Sequence, residues 1–246
     1  MGYLQAFLLG VVQGLTEFLP ISSSGHLVIG QKLLGLDQPP VLFDILVHCG
    51  TLAAIVIFFN KRLIKFFSLW VNLKLILIAS VPVGLVGLIL NPYTDYLFNS
   101  LNLVAVGLLI TGLLLFLTKR LTLLSKNELG FKSALGIGVF QALAILPGVS
   151  RSGATISAAL LQGIDQEAAF NFSFFLAVPA ILAALLLQIL QLNQPAIELV
   201  PGLIGFITAA IFGYFSLKLL QQVLQKARLH YFAYYCFALG FLILLL

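Results

Sequence analysis

Glu17, Ser23, His26 and Arg151 are the chemistry-bearing side chains of two polar segments that interrupt otherwise apolar sequence. The first segment reads VQGLTEFLPISSSGH from residue 12 and the second FQALAILPGVSRSGAT from residue 140. They share one skeleton. Gln13, Leu15, Ser22, Ser24 and Gly25 return as Gln141, Leu143, Ser150, Ser152 and Gly153, each 128 positions later. Around that skeleton the copies differ: the first holds Glu17 and His26, the second Arg151 and Thr155. A guanidinium offers a planar fork of donors that matches an anion such as phosphate and cannot be titrated away. Ser150, Ser152, Gly153 and Thr155 follow Pro147-Gly148 at an expected helix start, where free N–H groups and hydroxyls hold phosphate. An imidazole and a serine hydroxyl three residues apart can supply a nucleophile and its helper, in either order, and a carboxylate beside an amide suits a divalent ion. Ionisable groups near a bilayer centre cost about 2.5 to 3.5 kcal/mol or more, so in lipid-like sequence they mark a site.

The elements that must position these residues are membrane helices. Hydrophobic residues make up 61% of the 246-residue chain and charged residues 9%, which excludes an ordinary soluble domain. Apolar runs at 41–59, 73–90, 101–118, 170–190, 200–218 and 231–246 are each long enough for a span of the roughly 30 Å hydrocarbon core. The polar segments read differently. Residues 3–19 stop at Pro20-Ile21-Ser22-Ser23-Ser24-Gly25 before a further short apolar stretch, and residues 131–146 stop at Pro147-Gly148 before a short stretch from Thr155 to Gly163. Two short helices joined by a broken polar elbow describe a re-entrant hairpin, which lipid tolerates only where protein or a wet cavity satisfies the backbone. The expected fold is an all-α polytopic membrane protein, a single membrane domain over 1–246, with six transmembrane helices plus two re-entrant helical hairpins. Its repeat halves run approximately 1–118 and 131–246.

Loop charge gives the orientation. Lys61, Arg62, Lys65 and Lys74 flank the first turn between spans, Lys119, Arg120, Lys126 and Lys132 the third, and Lys218, Lys226 and Arg228 the fifth. The loops at 91–100 and 191–198 hold neither Lys nor Arg. By the positive-inside rule both termini then lie outside the cytoplasm. Three spans per half invert the second copy, so the hairpins enter from opposite faces and their elbows meet within the membrane. A weaker echo, VPVGLVG at 81–87 against VPGLIG at 200–205, supports duplication, with Gly84, Gly87, Gly202 and Gly205 expected to permit close helix packing. The excess of basic residues is an orientation signal, so no nucleic-acid partner is expected. Cys49 and Cys236 lie in apolar runs and read as packed thiols. No basic n-region or A-x-A-like site marks a cleaved signal peptide.

EFLPISSSGH with Gln13 four residues before Glu17, together with PGVSRSGAT, closely resembles the BacA-type undecaprenyl pyrophosphate phosphatases, and the match of profile covers essentially the whole chain. The resemblance implies hydrolysis of the terminal phosphate of undecaprenyl pyrophosphate, which yields the monophosphate carrier for cell-wall precursors. The site would open to the outer, periplasmic face of a bacterial inner membrane. It also implies bacitracin resistance when the enzyme is abundant. On this reading Glu17, Ser23, His26 and Arg151 are catalytic, and Gln13, Ser22, Ser24, Ser150, Ser152, Gly153 and Thr155 bind substrate. Pyrophosphate is handled with a bridging divalent ion, so Glu17 is the expected ligand of Mg²⁺ or Ca²⁺. The family pattern allows Glu or Gln at position 13, and Gln13 brings only a neutral oxygen. Ser23 and His26, three residues apart, are assigned as nucleophile and helper in either order, with water activated by His26 as an alternative. Glu17 has two alternative uses, orienting His26 or simply pairing with Arg151. Asp44 and His48, one helical turn apart, read as a structural pair, with a contribution to the cavity as the alternative. Expected partners are the polyprenyl pyrophosphate lipid, the bilayer, a divalent metal and, as an option, a second copy in a homodimer.

Two other readings compete. Membrane acid phosphatases carry an SR-x5-H motif, but Ser157 stands six positions beyond Arg151 where that motif needs histidine. An inverted-repeat transporter or flippase would bind the anion without cleaving it, and the set Glu17, Ser23, His26 and Arg151 exceeds what binding alone requires.

Overall fold

The structure is a computed structural model that describes residues 1–36, 41–120, 128–191 and 199–245. Among these the chain forms α-helices, two short 3-10 turns and no strand. The helices are α1 (Tyr3–Phe18), α2 (Ser23–Leu33), α3 (Val41–Phe67), α4 (Trp70–Leu90), α5 (Thr94–Asn99), α6 (Leu101–Leu117), α7 (Phe131–Leu143), α8 (Arg151–Leu161), α9 (Gln166–Gln191), α10 (Leu199–Gln225) and α11 (Tyr231–Leu244). The loop residues 121–127 and 192–198, including Lys126, lie outside the described residues.

α3, α4, α9 and α10 are long and apolar enough to cross a membrane. Their outer faces say the same: α4 turns Leu77, Val81, Leu85, Leu88 and Ile89 outward, and α9 Leu182, Leu186 and Leu190. Apolar faces of that extent are stable where lipid tails solvate them. The chain is thus an all-helical, multi-pass membrane protein. The sequence runs at 101–118 and 231–246 become the shorter helices α6 and α11, of 17 and 14 residues. At 1.5 Å per residue they reach only about 25 Å and 21 Å. They pack on each other.

Helix pairing exchanges the two halves of the chain. α1 packs on α10 and α7 on α4, so the first helix of each hairpin leans on a long helix of the other half. Small residues make this possible. A Cβ at Gly14 would lie 2.7 Å from the Ala209 carbonyl oxygen and 2.9 Å from the Gly213 nitrogen, and one at Gly138 would lie 2.8 Å from Ala79 Cα. The Ser216 hydroxyl donates to the Gly14 carbonyl at 2.9 Å and bolts α10 to α1. Gly202 and Gly205 face Leu46 and Phe43 of α3 as packing glycines should, whereas among the described residues a Cβ at Gly84 would meet nothing within 4 Å and one at Gly87 only Ile145 at 3.8 Å. The echo at 81–87 therefore lacks the packing role of its partner: α4 presents these glycines toward the lipid side.

Phenylalanines fill the space behind the first elbow. Phe18, the residue after Glu17, is fully buried and meets Phe174 edge to face at 5.4 Å. Phe174 meets Phe170 edge to face at 4.9 Å between centroids, and Phe175 lies 5.0 Å from Phe59 and 4.5 Å from Phe66. The cluster ties the end of α1 to α3 and α9 and anchors the backbone that carries Glu17. Asn60 breaks helical geometry inside α3 (φ 33°, ψ −114°), between the apolar part of the helix and Lys61-Arg62.

Candidate active site

Both hairpins turn in the same way. α1 ends at Phe18, the chain passes through extended Leu19 and turns at Pro20, and Ser22 caps α2; α7 ends at Leu143, the chain turns through Pro147-Gly148, and Ser150 caps α8. The Ser22 oxygen accepts from Gly25 N–H at 3.3 Å and the Ser150 oxygen from Gly153 N–H at 3.1 Å. Ser24 and Ser152 hydroxyls lie 3.2 Å and 3.1 Å from their cap oxygens. These caps satisfy donors that a helix start leaves open, which matters most where no bulk water can replace them. Ser22 achieves this at φ 69°, a region that a residue with a Cβ seldom occupies and that costs of order 1–3 kcal/mol. In the second elbow Gly148 takes φ 87° instead, and a Cβ there would drive into the Val104 carbonyl of α6. Thr111 then pins the turn: its hydroxyl donates to the Gly148 carbonyl at 3.0 Å and accepts from Ser150 N–H at 2.9 Å.

The elbows touch reciprocally. A Cβ at Gly153 would lie 3.2 Å from Pro20, and one at Gly25 would lie 3.5 Å from Gly148. Pro20 and Gly148 are themselves counterparts at the 128-residue offset. Side chains separated by more than half the chain therefore share one cluster.

Glu17 is its centre. Its Oε1 accepts from Arg151 Nη2 at 3.1 Å, and its Oε2 accepts from the Ser23 hydroxyl at 2.6 Å and from Gln13 Nε2 at 3.2 Å. The side chains of Glu17 and Arg151 are only 8% and 15% exposed, so the pair sits largely out of water. Of the side-chain atoms of Gln13, Glu17, Ser23 and Arg151, two are buried without a partner among the described residues: Arg151 Nη1 and Gln13 Oε1. Natural interiors rarely leave such groups idle, so they are the open valences of the cluster, one a donor fit for an anion and the other an acceptor fit for a cation or water.

His26 stands apart from Ser23. Its Nδ1 lies 2.7 Å from the Ser22 carbonyl and its Nε2 2.7 Å from the Tyr235 hydroxyl of α11, and both nitrogens are thereby engaged. The expected Ser23–His26 partnership gives way to two separate pairs, Ser23 with Glu17 and His26 with Tyr235. The reason is helical geometry: three residues along α2, the imidazole is turned back toward the carbonyl of the cap. Thr155 is fully buried; its hydroxyl donates to the Arg151 carbonyl at 2.8 Å and lies 2.6 Å from Ser173 of α9. Ser22, Ser150 and Ser152 are likewise buried and spend their hydroxyls on caps, so the structure gives these four a scaffold use. Asp44 and His48 are joined through the backbone one turn apart on α3, with His48 Nδ1 2.7 Å from the Asp44 carbonyl.

The donor set bears on a divalent ion. Among the described residues no three His, Cys, Asp or Glu side chains gather as ligands. One carboxylate and the unpartnered Gln13 oxygen do fit an ion that takes most of its remaining oxygens from a phosphate and water, the usual habit of Mg²⁺.

The sequence model of the family described as "Bacitracin resistance protein BacA" matches residues 6–242. An undecaprenyl-diphosphatase of Carboxydothermus hydrogenoformans is 44% identical, over 100% of this chain and 98% of its own length. Proteins of the same name from Halothermothrix orenii and Korarchaeum cryptofilum are 42% and 43% identical, over 100% and 98% of this chain and 98% and 97% of theirs. With both polar elbows inside the matched region and similarity running the length of the chain, this protein belongs to the BacA family.

Proposed function

We propose that the chain is an undecaprenyl-diphosphatase, a membrane hydrolase that removes the terminal phosphate of undecaprenyl pyrophosphate and returns the lipid monophosphate carrier to cell-wall synthesis, with bacitracin resistance as a consequence of abundance. The observation that carries it is the Ser23 hydroxyl donating at 2.6 Å to a Glu17 carboxylate whose other oxygen holds Arg151. An anion carrier needs the arginine; it does not need a hydroxyl poised on a base.

The residues divide the work. Arg151 grips non-bridging oxygens of the terminal phosphate through Nη1. Ser23 attacks the phosphorus as Glu17 takes its proton, and the phosphoanhydride bond breaks to leave a phosphoserine and the lipid monophosphate. His26, when protonated, gives a proton from Nε2 to the departing oxygen. In its neutral form it takes a proton from the water that releases inorganic phosphate, while Glu17 returns its proton to the Ser23 oxygen. Ser23 and His26 thus emerge regenerated. A divalent ion would be held by Glu17 and Gln13 and would neutralise charge on the pyrophosphate oxygens.

Purified protein in lipid vesicles is expected to release inorganic phosphate from a polyprenyl pyrophosphate, to stop with chelator, and to resume with Mg²⁺ or Ca²⁺. Transfer of the lipid between leaflets without phosphate release would support the carrier reading instead.

The same proposal includes topology: six spans with α1–α2 and α7–α8 as re-entrant hairpins, inverted halves at about 1–118 and 131–246, and a site facing the periplasmic side of a bacterial inner membrane. The exchanged pairings α1–α10 and α7–α4 and the reciprocal elbow contacts support it. A cysteine at Asn99 is expected to react with an impermeant thiol reagent outside intact cells while one at Asn127 stays silent. The reverse pattern would overturn the orientation.

A further inference from the structure

We infer that Tyr235 is the positioning residue of His26. The inference rests on the role of His26 proposed above. Nothing in the sequence joins the two residues, which are 209 apart, yet the structure joins them twice: the Tyr235 hydroxyl lies 2.7 Å from Nε2, and the rings lie nearly parallel, 14° apart in plane and 5.7 Å between centroids. The other nitrogen, Nδ1, faces the Ser22 carbonyl at 2.7 Å. A carbonyl only accepts, so Nδ1 carries the proton and the lone pair of neutral His26 sits on Nε2, where Tyr235 donates to it. The chain Ser22 carbonyl, imidazole, tyrosine hydroxyl fixes both the tautomer and the plane of the ring.

The rest of α11 is built to hold this contact. Cys236, the next residue, is buried and its thiol rests 3.6 Å from the Pro20 carbonyl, so α11 meets the first elbow at two successive positions. α11 in turn lies on α6, whose Thr111 pins the second elbow. One short helix therefore registers the imidazole against both turns. Tyr235 is about half exposed, and its ring lies nearly parallel to the imidazole while its hydroxyl meets Nε2. A histidine that moves protons in both directions gains from such restraint, because proton transfer is efficient only when Nε2 is already aimed.

Tyr235→Phe keeps the ring and removes the hydroxyl. In vesicles it is expected to lower kcat about tenfold to a hundredfold, a part of the ~10²–10⁴ that acid–base help supplies, with KM within about twofold. Tyr234→Phe, one position away and on a different face, is expected to change neither. Combined with His26→Ala, Tyr235→Phe is expected to cost nothing further, since there is no imidazole left to position. A second readout needs no turnover: the ¹⁵N resonance of Nε2, assigned by its loss in His26→Ala, is expected to move in Tyr235→Phe as the hydrogen bond goes. A resonance that stays put, or one that moves while kcat does not, overturns the proposal, and so does an equal loss from Tyr235→Phe with and without His26. If His26→Ala alone keeps near-normal turnover, the catalytic reading of His26 fails first, and that result is distinct from any of these.

Discussion

Ser23→Ala is expected to lower kcat by about 10³-fold or more and to leave KM close to its original value, because deleting a nucleophile removes an interaction made only as bonds to phosphorus change. Ser23 differs from its neighbours in what its hydroxyl touches. Ser22 and Ser24 are occupied with the cap of α2, whereas Ser23 donates at 2.6 Å to a carboxylate. Ser22→Ala would loosen the start of α2, at the cost of about 1 kcal/mol typical of a lost cap, and would affect turnover only through that. The comparison of adjacent serines is therefore the informative measurement, with phosphate release from a polyprenyl pyrophosphate as the readout and rapid acid quench to trap phosphoserine in the parent protein. Turnover of Ser23→Ala above about a tenth of the parent, with no trapped phosphoserine in the latter, would move the attack to a water molecule and leave Glu17 as its base.

What could be read from sequence, and what could not, divides along a physical line. Charged residues are rare and costly in lipid, so Glu17 and Arg151 announced a shared site, and the offset of their segments foretold that the elbows meet. Their 3.1 Å contact and the abutment of Gly153 on Pro20 are that meeting. The exact use of each hydroxyl was not legible, because a serine in such a segment serves equally as cap, nucleophile or phosphate donor until backbone geometry chooses; for Thr155 it chose Ser173 of α9. Tyr235 was hidden more deeply. It is one of 7 tyrosines, placed in an apolar helix beside a second tyrosine and with no charged residue next to it, and only tertiary packing across 209 residues reveals its partner. His48 was read as a local pair with Asp44 because the two are four apart, a spacing that shows neighbours along a helix and is silent about what the helix faces. The apolar runs at 101–118 and 231–246 fit a span by composition, and among the described residues they form α6 and α11, of 17 and 14 residues.

Arg151→Ala is expected to reduce kcat/KM by about 10³- to 10⁵-fold, with both constants affected, since a guanidinium on a transferring phosphoryl group stabilises bound substrate and transition state alike. It is also expected to destabilise the fold. Glu17 would be left as a largely buried carboxylate without its cation, a change that costs about 3–5 kcal/mol where one partner of a buried pair is removed. The two effects separate with a second variant: Glu17→Gln combined with Arg151→Ala removes the orphaned charge, so thermal unfolding in detergent should return toward the parent while activity stays lost. Arg151→Lys is the sharper test of geometry. A lysine keeps the charge but offers a compact ammonium in place of a fork, and one nitrogen cannot serve Glu17 and phosphate in the way that Nη2 and the unpartnered Nη1 are disposed to do. The lysine variant should therefore fold, bind the lipid pyrophosphate weakly and turn over slowly. Parent-like kcat/KM in Arg151→Lys would reduce Arg151 to a source of positive charge, and the unpartnered Nη1 would then need another explanation than a waiting phosphate oxygen.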